Sequence, residues 1–319
     1  MGQPKNRLAS EVLLVKRNIK TGNSNSSYFI SHCEKIHFIS TFLKFNKKVI
    51  ENMITKQGDQ IQRNKDVFES EDVVSVFCPQ SRLQKPEENV LKELGQKLSN
   101  MKMLDVGVGA GRTTIHFAGL TKEYVGIDYS SNMVKACQKK FSNYPKLLSF
   151  LTVDARDLTI FEDGFFDFVL FSWCGIDYVN HEDRLKILME IRRVTRPGGY
   201  FCFQTHNLNY QLNNCSIRFS NNFGQSLWSI VWVLQMRLLN KRAVWRQIRS
   251  PSKYKPHILF NDGTHEFRLK TYFIAPIEQF EQLKESGFTE TRIYGLDGSE
   301  IRNLTNTTET WLTYLCKAN

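Results

Sequence analysis

The chain has 319 residues, 41% of them hydrophobic, and a formal net charge of +11. That is ample for a large core and excludes a disordered chain; the positive excess points to an anionic partner, whether an acidic small molecule, a lipid surface or nucleic acid. Seven scattered cysteines with no Cys-x-x-Cys pair exclude a cysteine-clamped zinc or dithiol redox site and fit a reducing, cytoplasmic compartment.

Residues 1–27 are basic and end in TGNSNSS, the composition of a flexible leader and linker. The first twenty residues lack a continuous apolar run, so no signal peptide is expected. The sequons at Asn25, Asn214, Asn303 and Asn306 are then chance matches. Tyr28 to Thr55 mixes phenylalanine and isoleucine with lysine, as an amphipathic helix does. Lys56 to Glu71 is polar and reads as a second linker. Residues 1–71 thus form a leader, linker and helical cap, and 72–319 the main domain.

In the main domain, Pro86-Glu87-Glu88 opens a helix, with acids beside its positive dipole end. Arg82, just ahead of it, stands where a cation could reach a ligand carboxylate, with a solvated surface arginine as the equal alternative. The stretch MLDVGVGAGR, Met103 to Arg112, follows: a short buried strand, a glycine loop, then a helix over 113–121. Glycine lets a ligand lie against bare backbone, and a helix start offers unpaired N–H groups. A dinucleotide fingerprint is G-x-G-x-x-G, but here the pattern is G-x-G-x-G and Arg112 replaces the third glycine. The loop therefore suits a nucleoside without a pyrophosphate. Asp105 puts a carboxylate at the strand end, where open α/β sheets bind ligands.

The second strand, Tyr124 to Ile127, closes at Asp128, 17 residues past Gly111. An acid there accepts both ribose hydroxyls. Capping of the following helix (130–141) falls instead to Ser130. Leu148 to Val153 is a third strand ending at Asp154-Ala155-Arg156. Phe165 to Phe171 is a near-continuous apolar run, as a doubly covered parallel strand should be. Helix 181–195 stops at Pro197-Gly198-Gly199, and Tyr200 to Gln204 is the fifth strand, leading to His206. Strands alternating with helices make an α/β, doubly wound, mostly parallel sheet.

Residues 208–268 break the rhythm. Leu227 to Leu239 is apolar yet too short, and too interrupted by Gln235 and Arg237, to span a bilayer. No acid lies between Arg237 and Lys255. The insert reads as a substrate lid; peripheral membrane contact through 227–255 and an RNA-binding face are its alternatives. A helix at 275–287 and two strands, 289–294 and 310–317, finish the chain. With no helix between them, those strands form an antiparallel pair at the sheet edge.

The blocks LDVGVGAGR, YVGIDYSSNMV, VDARDL, FDFVLFSWCGIDYV and EIRRVTRPGGYF, in this order, resemble the class I S-adenosylmethionine-dependent methyltransferase superfamily, in its bacterial small-molecule form. The resemblance covers roughly residues 85–207 and the terminal strand pair. It implies a Rossmann-like, seven-stranded sheet with its last strand antiparallel. By motif, Asp105, Gly107, Gly109 and Gly111 would line the methionine end of S-adenosyl-L-methionine. Asp128 would hold its ribose, Tyr129 and Met133 would flank adenine, and Asp154 with Ala155 would meet the adenine amine. Phe171 and Ser172 would lie under the sulfonium.

The reaction implied is methyl transfer to a small-molecule acceptor, anionic if the basic charge is a guide. A hydroxyl acceptor needs a general base. His206, at the end of the fifth strand, is the first candidate, and Asp177 and His181 are weaker ones. Tyr178 is placed to hydrogen-bond the acceptor. A methyltransferase acting on RNA or a membrane-associated acceptor is the alternative; no base-clamping Asn-Pro-Pro-Tyr motif supports RNA. A non-catalytic, cofactor-binding protein is the second. No metal site is expected.

Overall fold

Alternation along the first strand sets the layers of the fold. Leu104 and Val106 face one side of the sheet and Met103 the other, and all three are buried. The structure, a computed structural model, describes residues 60–144, 148–210, 219, 223–240, 245, 256–305 and 307–319. Its strands are β1 (Lys102–Val106), β2 (Glu123–Asp128), β3 (Ser149–Thr152), β4 (Phe166–Phe171), β5 (Thr195–Asn207), β6 (His257–Phe260), β7 (Thr271–Ile274), β8 (Phe288–Tyr294) and β9 (Trp311–Ala318). Strands β3, β2, β1, β4 and β5 lie side by side in that order, all parallel. β9 joins β5 antiparallel and β8 joins β9 antiparallel, completing the seven-stranded sheet expected.

The helices are α1 (Gln60–Glu69), α2 (Glu71–Phe77), α3 (Lys85–Leu94), α4 (Thr114–Phe117), α5 (Ser131–Lys140), α6 (His181–Val194), α7 (Phe223–Leu239), α8 (Thr264–Phe267) and α9 (Pro276–Glu285). On one sheet face Leu188 and Ile191 of α6 and Leu283 of α9 pack against Val169, Phe201 and Phe203. On the other, Val90 and Leu94 of α3 and Val134 of α5 meet Phe168, Leu170 and Cys202. Helices cover both faces, which is why the central strands read as unbroken apolar runs.

Four expectations are corrected. The stretch 56–71 is not a linker, since α1 occupies 60–69. Its polar composition hides the few buried contacts that order it, Asn64 and Val67. The helix after the glycine loop is a single turn, 114–117, rather than 113–121. β5 is far longer than 200–204. It begins directly at Thr195, paired with Phe166, and takes Pro197-Gly198-Gly199 into the ladder at a register shift. The insert after β5 also adds two strands, because β6 and β7 pair antiparallel and carry it to Ile274, past residue 268.

That ribbon attaches where β5 outruns β4. β4 ends opposite Phe203, and the free edge beyond it takes β7, with His206 opposite Phe273 and Asn207 opposite Ile274. Helix α7 buries Val233 and Met236 and exposes Leu234 and Leu238. Among the described residues no helix is long and apolar enough to cross a membrane. The helix expected at 28–55 lies outside the described residues, as does the basic tract 241–255 apart from Trp245.

Candidate active site

The glycine loop needs its glycines for two separate reasons. Gly107, Gly109 and Gly111 all have left-handed φ, +63°, +55° and +76°. A Cβ at Gly107 would also stand 2.9 Å from the Phe171 ring, and one at Gly111 2.4 Å from the Phe141 ring. Asp105 lies beneath this loop, 1% exposed, rather than along it. Its carboxylate accepts from Thr113 Oγ1 at 2.5 Å and from the Tyr124 hydroxyl at 2.6 Å. Burial pushes its pKa up to about 6, against the pull of those two hydroxyls. Its role here is to hold the turn from below.

Asp128 reaches the loop from the end of β2. One oxygen accepts the Gly109 N–H at 3.0 Å and the other the Ser130 N–H at 2.8 Å. Burial raises this carboxyl also to about 6, and the two N–H donors oppose the rise. Each oxygen retains a lone pair for a hydroxyl. Ser130 caps α5, its hydroxyl accepting from the Met133 N–H, so the cap does not use Asp128. Tyr129 follows, half-buried, and Met133 is buried below it.

The remaining expected donor residues lie close by with partners of their own. Asp154 accepts from Arg156 at 2.7 Å, and that guanidinium, overcoming burial, holds its carboxyl below the usual range. Ala155, between them, is half-buried. Phe171 is wedged between Gly107 and Gly175, where added Cβ atoms would stand 2.9 and 2.4 Å from its ring. It supports both loops from inside. The Ser172 hydroxyl meets Glu87 and Arg112.

Arg112 is not a donor ligand in this arrangement. Its guanidinium forks onto buried Glu87 at 2.6 and 2.7 Å, donates to Ser172 Oγ at 2.6 Å and to the Arg82 carbonyl at 2.9 Å, and lies over the Trp173 ring. Glu87 closes a capping box with Gln84 as well. Gln204 of β5 receives the Trp173 N–H at 2.8 Å. The donor loop, α3, β5 and the loop after β4 are thereby tied into one network. In the sequence Glu87 reads as a dipole acid and Arg112 stands where a glycine would be. Neither carries a local mark of the other, 25 residues away.

The loop after β4 and the end of β5 build the second half of the site. Asp177 is fully buried and has four donors. Arg184 Nη1 (2.5 Å) and Thr205 Oγ1 (2.7 Å) reach one oxygen; the His206 N–H (2.8 Å) and Nδ1 (2.7 Å) reach the other. His206 and Asp177 are thus a dyad, as two separate candidates become one. Burial works against a charge on His206, but the adjacent Cys174 and the Asp177 hydrogen bond outweigh it and hold its pKa well above the ordinary imidazole range. Arg184, the unanticipated member, also binds Gln279. It falls in phase with Leu188 and Ile191 on the buried face of α6, a signal the sequence did contain.

Cys174, Asp177 and His206 bring three ligand-type atoms within 4.8 Å. Asp177 is already saturated by donors, one of them a guanidinium, which argues against a cation there. Tyr178 turns its ring edge to Phe68 at 5.0 Å, and its carbonyl accepts from Asn64. His181 stands apart from the dyad, stacked on His257 at 3.9 Å and bonded to the Tyr272 hydroxyl.

Residues 103–199 match a sequence family described as "Methyltransferase domain". The solved structure of a putative S-adenosylmethionine-dependent methyltransferase from Listeria monocytogenes superposes with a TM-score of 0.51 at 15% identity, covering 73% of this chain and 98% of that one. Residues 103–199 are thus similar to a methyltransferase domain, and the fold is the one found in S-adenosylmethionine-dependent methyltransferases. A Burkholderia thailandensis 1,6-didemethyltoxoflavin-N1-methyltransferase with bound S-adenosylhomocysteine shares the fold at a TM-score of 0.50 and 15% identity, over 81% of this chain and 88% of that one. Among curated relatives, demethylmenaquinone methyltransferase of Staphylococcus aureus is 37% identical over 120 residues, 36% of this chain and 47% of the relative. That of Lysinibacillus sphaericus is 37% identical over 108 residues, 33% and 44% respectively. The chain therefore spans about half the length of the curated relatives it matches.

Proposed function

We propose that this chain transfers a methyl group from S-adenosylmethionine to a small-molecule acceptor whose proton is taken by His206. The observation that carries the reading is the union of three left-handed glycines with the Asp128 carboxylate that grips Gly109. That cradle fits the donor: bare backbone on one side, a ribose acceptor on the other, and a buried Tyr129 hydroxyl with no hydrogen-bond partner among the described residues. When bound, the donor supplies a methyl activated on positive sulfur. Asp128 would hold the ribose, Tyr129 and Met133 the adenine, and Asp154 the exocyclic amine in competition with Arg156.

The rest is positioning and a proton. Because Asp177 accepts from Nδ1, the tautomer left for proton abstraction has its lone pair on Nε2. Arg184 fixes Asp177 in turn, so the base is oriented from two sides. With the donor bound, an acceptor would lose its proton to Nε2 as its oxygen or carbon takes the methyl, the electron pair of the broken carbon–sulfur bond remaining with the donor's sulfur. The insert expected as a lid over 208–268 is read as the acceptor-side cover through its described part, supported by His265 and Leu269 packing toward α1 and α2. The relatives' name, demethylmenaquinone methyltransferase, supports a small-molecule acceptor.

Calorimetric titration with S-adenosylhomocysteine tests the donor half, and a metabolite screen with methyl-labelled donor tests the acceptor half. Binding by the wild type and its loss in Asp128→Ala are expected. If the product analogue fails to bind and Asp128→Ala changes nothing, the enzymatic reading is wrong and a non-catalytic role replaces it.

A further inference from the structure

The positive charge of the chain is concentrated in one place. Residues 208–261 hold eight of its lysines and arginines and no aspartate or glutamate, so this stretch alone carries +8 of the chain's +11. Helix α7 lies within it. Its 17 residues include one charge, Arg237, in the last turn. Lys241 and Arg242 come directly after Asn240 at the helix end, and four more cations follow before Pro256.

Packing uses one face of α7. Trp232 covers Gly263, where an added Cβ would stand 2.2 Å from its ring, and it meets the Phe267 ring at 4.8 Å. Val233 and Met236 are buried. Past the helix end, the Asn240 side chain accepts from the Asn261 N–H at 2.8 Å and donates to the Asn261 carbonyl at 3.0 Å. These contacts fix the rotation of the helix about its axis. The other face then presents Leu234, 49% exposed, and Leu238, 73% exposed, one turn apart, with Ile230 half-buried a turn before them. Arg237 is exposed beside Leu238, its guanidinium 5.8 Å from the Trp245 ring. A single exposed leucine needs no account; an aliphatic stripe along a helix with one charge does.

We propose that this face of α7 rests on a lipid bilayer bearing anionic phospholipid headgroups. Leu234 and Leu238 enter the acyl boundary, while Arg237 and the basic tract after it meet the phosphates. Among the described residues no helix is long and apolar enough to cross a membrane, so α7 would lie in the interface plane. Charge selects this occupant. A second copy of the chain would bring +8 against +8. A nucleic acid would satisfy the cations and leave the leucines in water, because such sites gain from phosphate contacts and ring stacking. An anionic bilayer takes both groups, and each basic residue near its surface adds about fivefold in affinity. Such contact is independent of methyl transfer.

Flotation of the full chain with vesicles tests it, using phosphatidylglycerol and phosphatidylcholine in equal parts against phosphatidylcholine alone. At low salt the chain should bind the anionic vesicles at least about tenfold more tightly than the neutral ones. Leu234→Ser combined with Leu238→Ser should weaken anionic-vesicle binding about tenfold or more, with melting and near-ultraviolet circular dichroism reporting that the variant folds. Lys241→Gln combined with Arg242→Gln should weaken it about 20-fold and leave neutral-vesicle binding unchanged. Failure to float, or equal flotation of the leucine variant and the wild type, overturns the proposal. So does a lipid-free dimer in sedimentation that the leucine variant dissolves, which gives the face to a second copy. Binding of a single-stranded RNA that the Lys241 and Arg242 changes abolish, without vesicle binding, also overturns it and assigns the charge to nucleic acid.

Discussion

Asp128 and His206 show how far a single residue's chemistry follows from its surroundings. Asp128 stands out in the sequence as the acid that closes the second strand. Its bond to Gly109 does not, since that depends on how the loop folds back. Loss of that carboxylate should weaken S-adenosylhomocysteine binding about 10- to 100-fold in Asp128→Ala, read by calorimetry. The ionised form is needed to accept hydroxyls, and its pKa stands near 6, so donor affinity should fall as the pH is lowered through about 6. For His206 the sign is opposite. Its pKa is raised, so it holds a proton at neutral pH and must lose it to act as a base. The rate should therefore climb with pH above neutrality. His206→Gln should remove that limb and lower kcat by about 10²- to 10⁴-fold, with donor binding intact. A flat pH profile in the wild type, or full activity in the variant, excludes the base role.

Elements were legible in proportion to how much of their order is local. The parallel strands and α6 announce themselves by apolar period. α1 does not, because what orders it comes from elsewhere in the chain. Glu69 at its end accepts the N–H groups of Ser131 at 2.8 Å and Asn132 at 3.0 Å, capping α5 from outside. Burial opposes the ionised form, but these N–H bonds lower the Glu69 pKa. Glu69→Gln should cost about 1 kcal/mol and lower the melting temperature by roughly 2–4 °C. It should also loosen α1 from Tyr129, visible as faster amide exchange over 60–69. Unchanged exchange there would show that Asn64, Val67 and Phe68 hold the helix without Glu69. β6 and β7 escaped sequence reading for a related reason. Each has four residues, too few for a periodic signal, and their place is set by the free edge of β5.

At the level of the whole molecule, two buried carboxyls pull stability toward acid. Asp105 rises from 3.8 to about 6 on folding, a difference worth roughly 3 kcal/mol. A raised folded-state pKa gives stability that is present below pH 3.8 and lost as the pH rises through 6. Urea titrations should show the wild type losing ground to Asp105→Asn across that window; parallel curves would place the strain elsewhere. The net charge of +11 has its own consequence. An enzyme for a small acceptor should keep its rate within about twofold between 50 and 500 mM salt, whereas a steep fall would indicate RNA.

The β6–β7 ribbon joins the sheet through the last two residues of β5, with Asn207 opposite Ile274. The chain between them therefore departs and returns at one seam. The residues proposed to hold the donor, from Gly107 to Asp154, lie before that seam, and the closing strands lie after it. A lineage can exchange this cassette by recombination without disturbing the inherited donor half. Asp177 and His206 stay outside the exchanged segment, so such an event would change what lies beyond the seam while keeping the pair proposed to take the acceptor's proton.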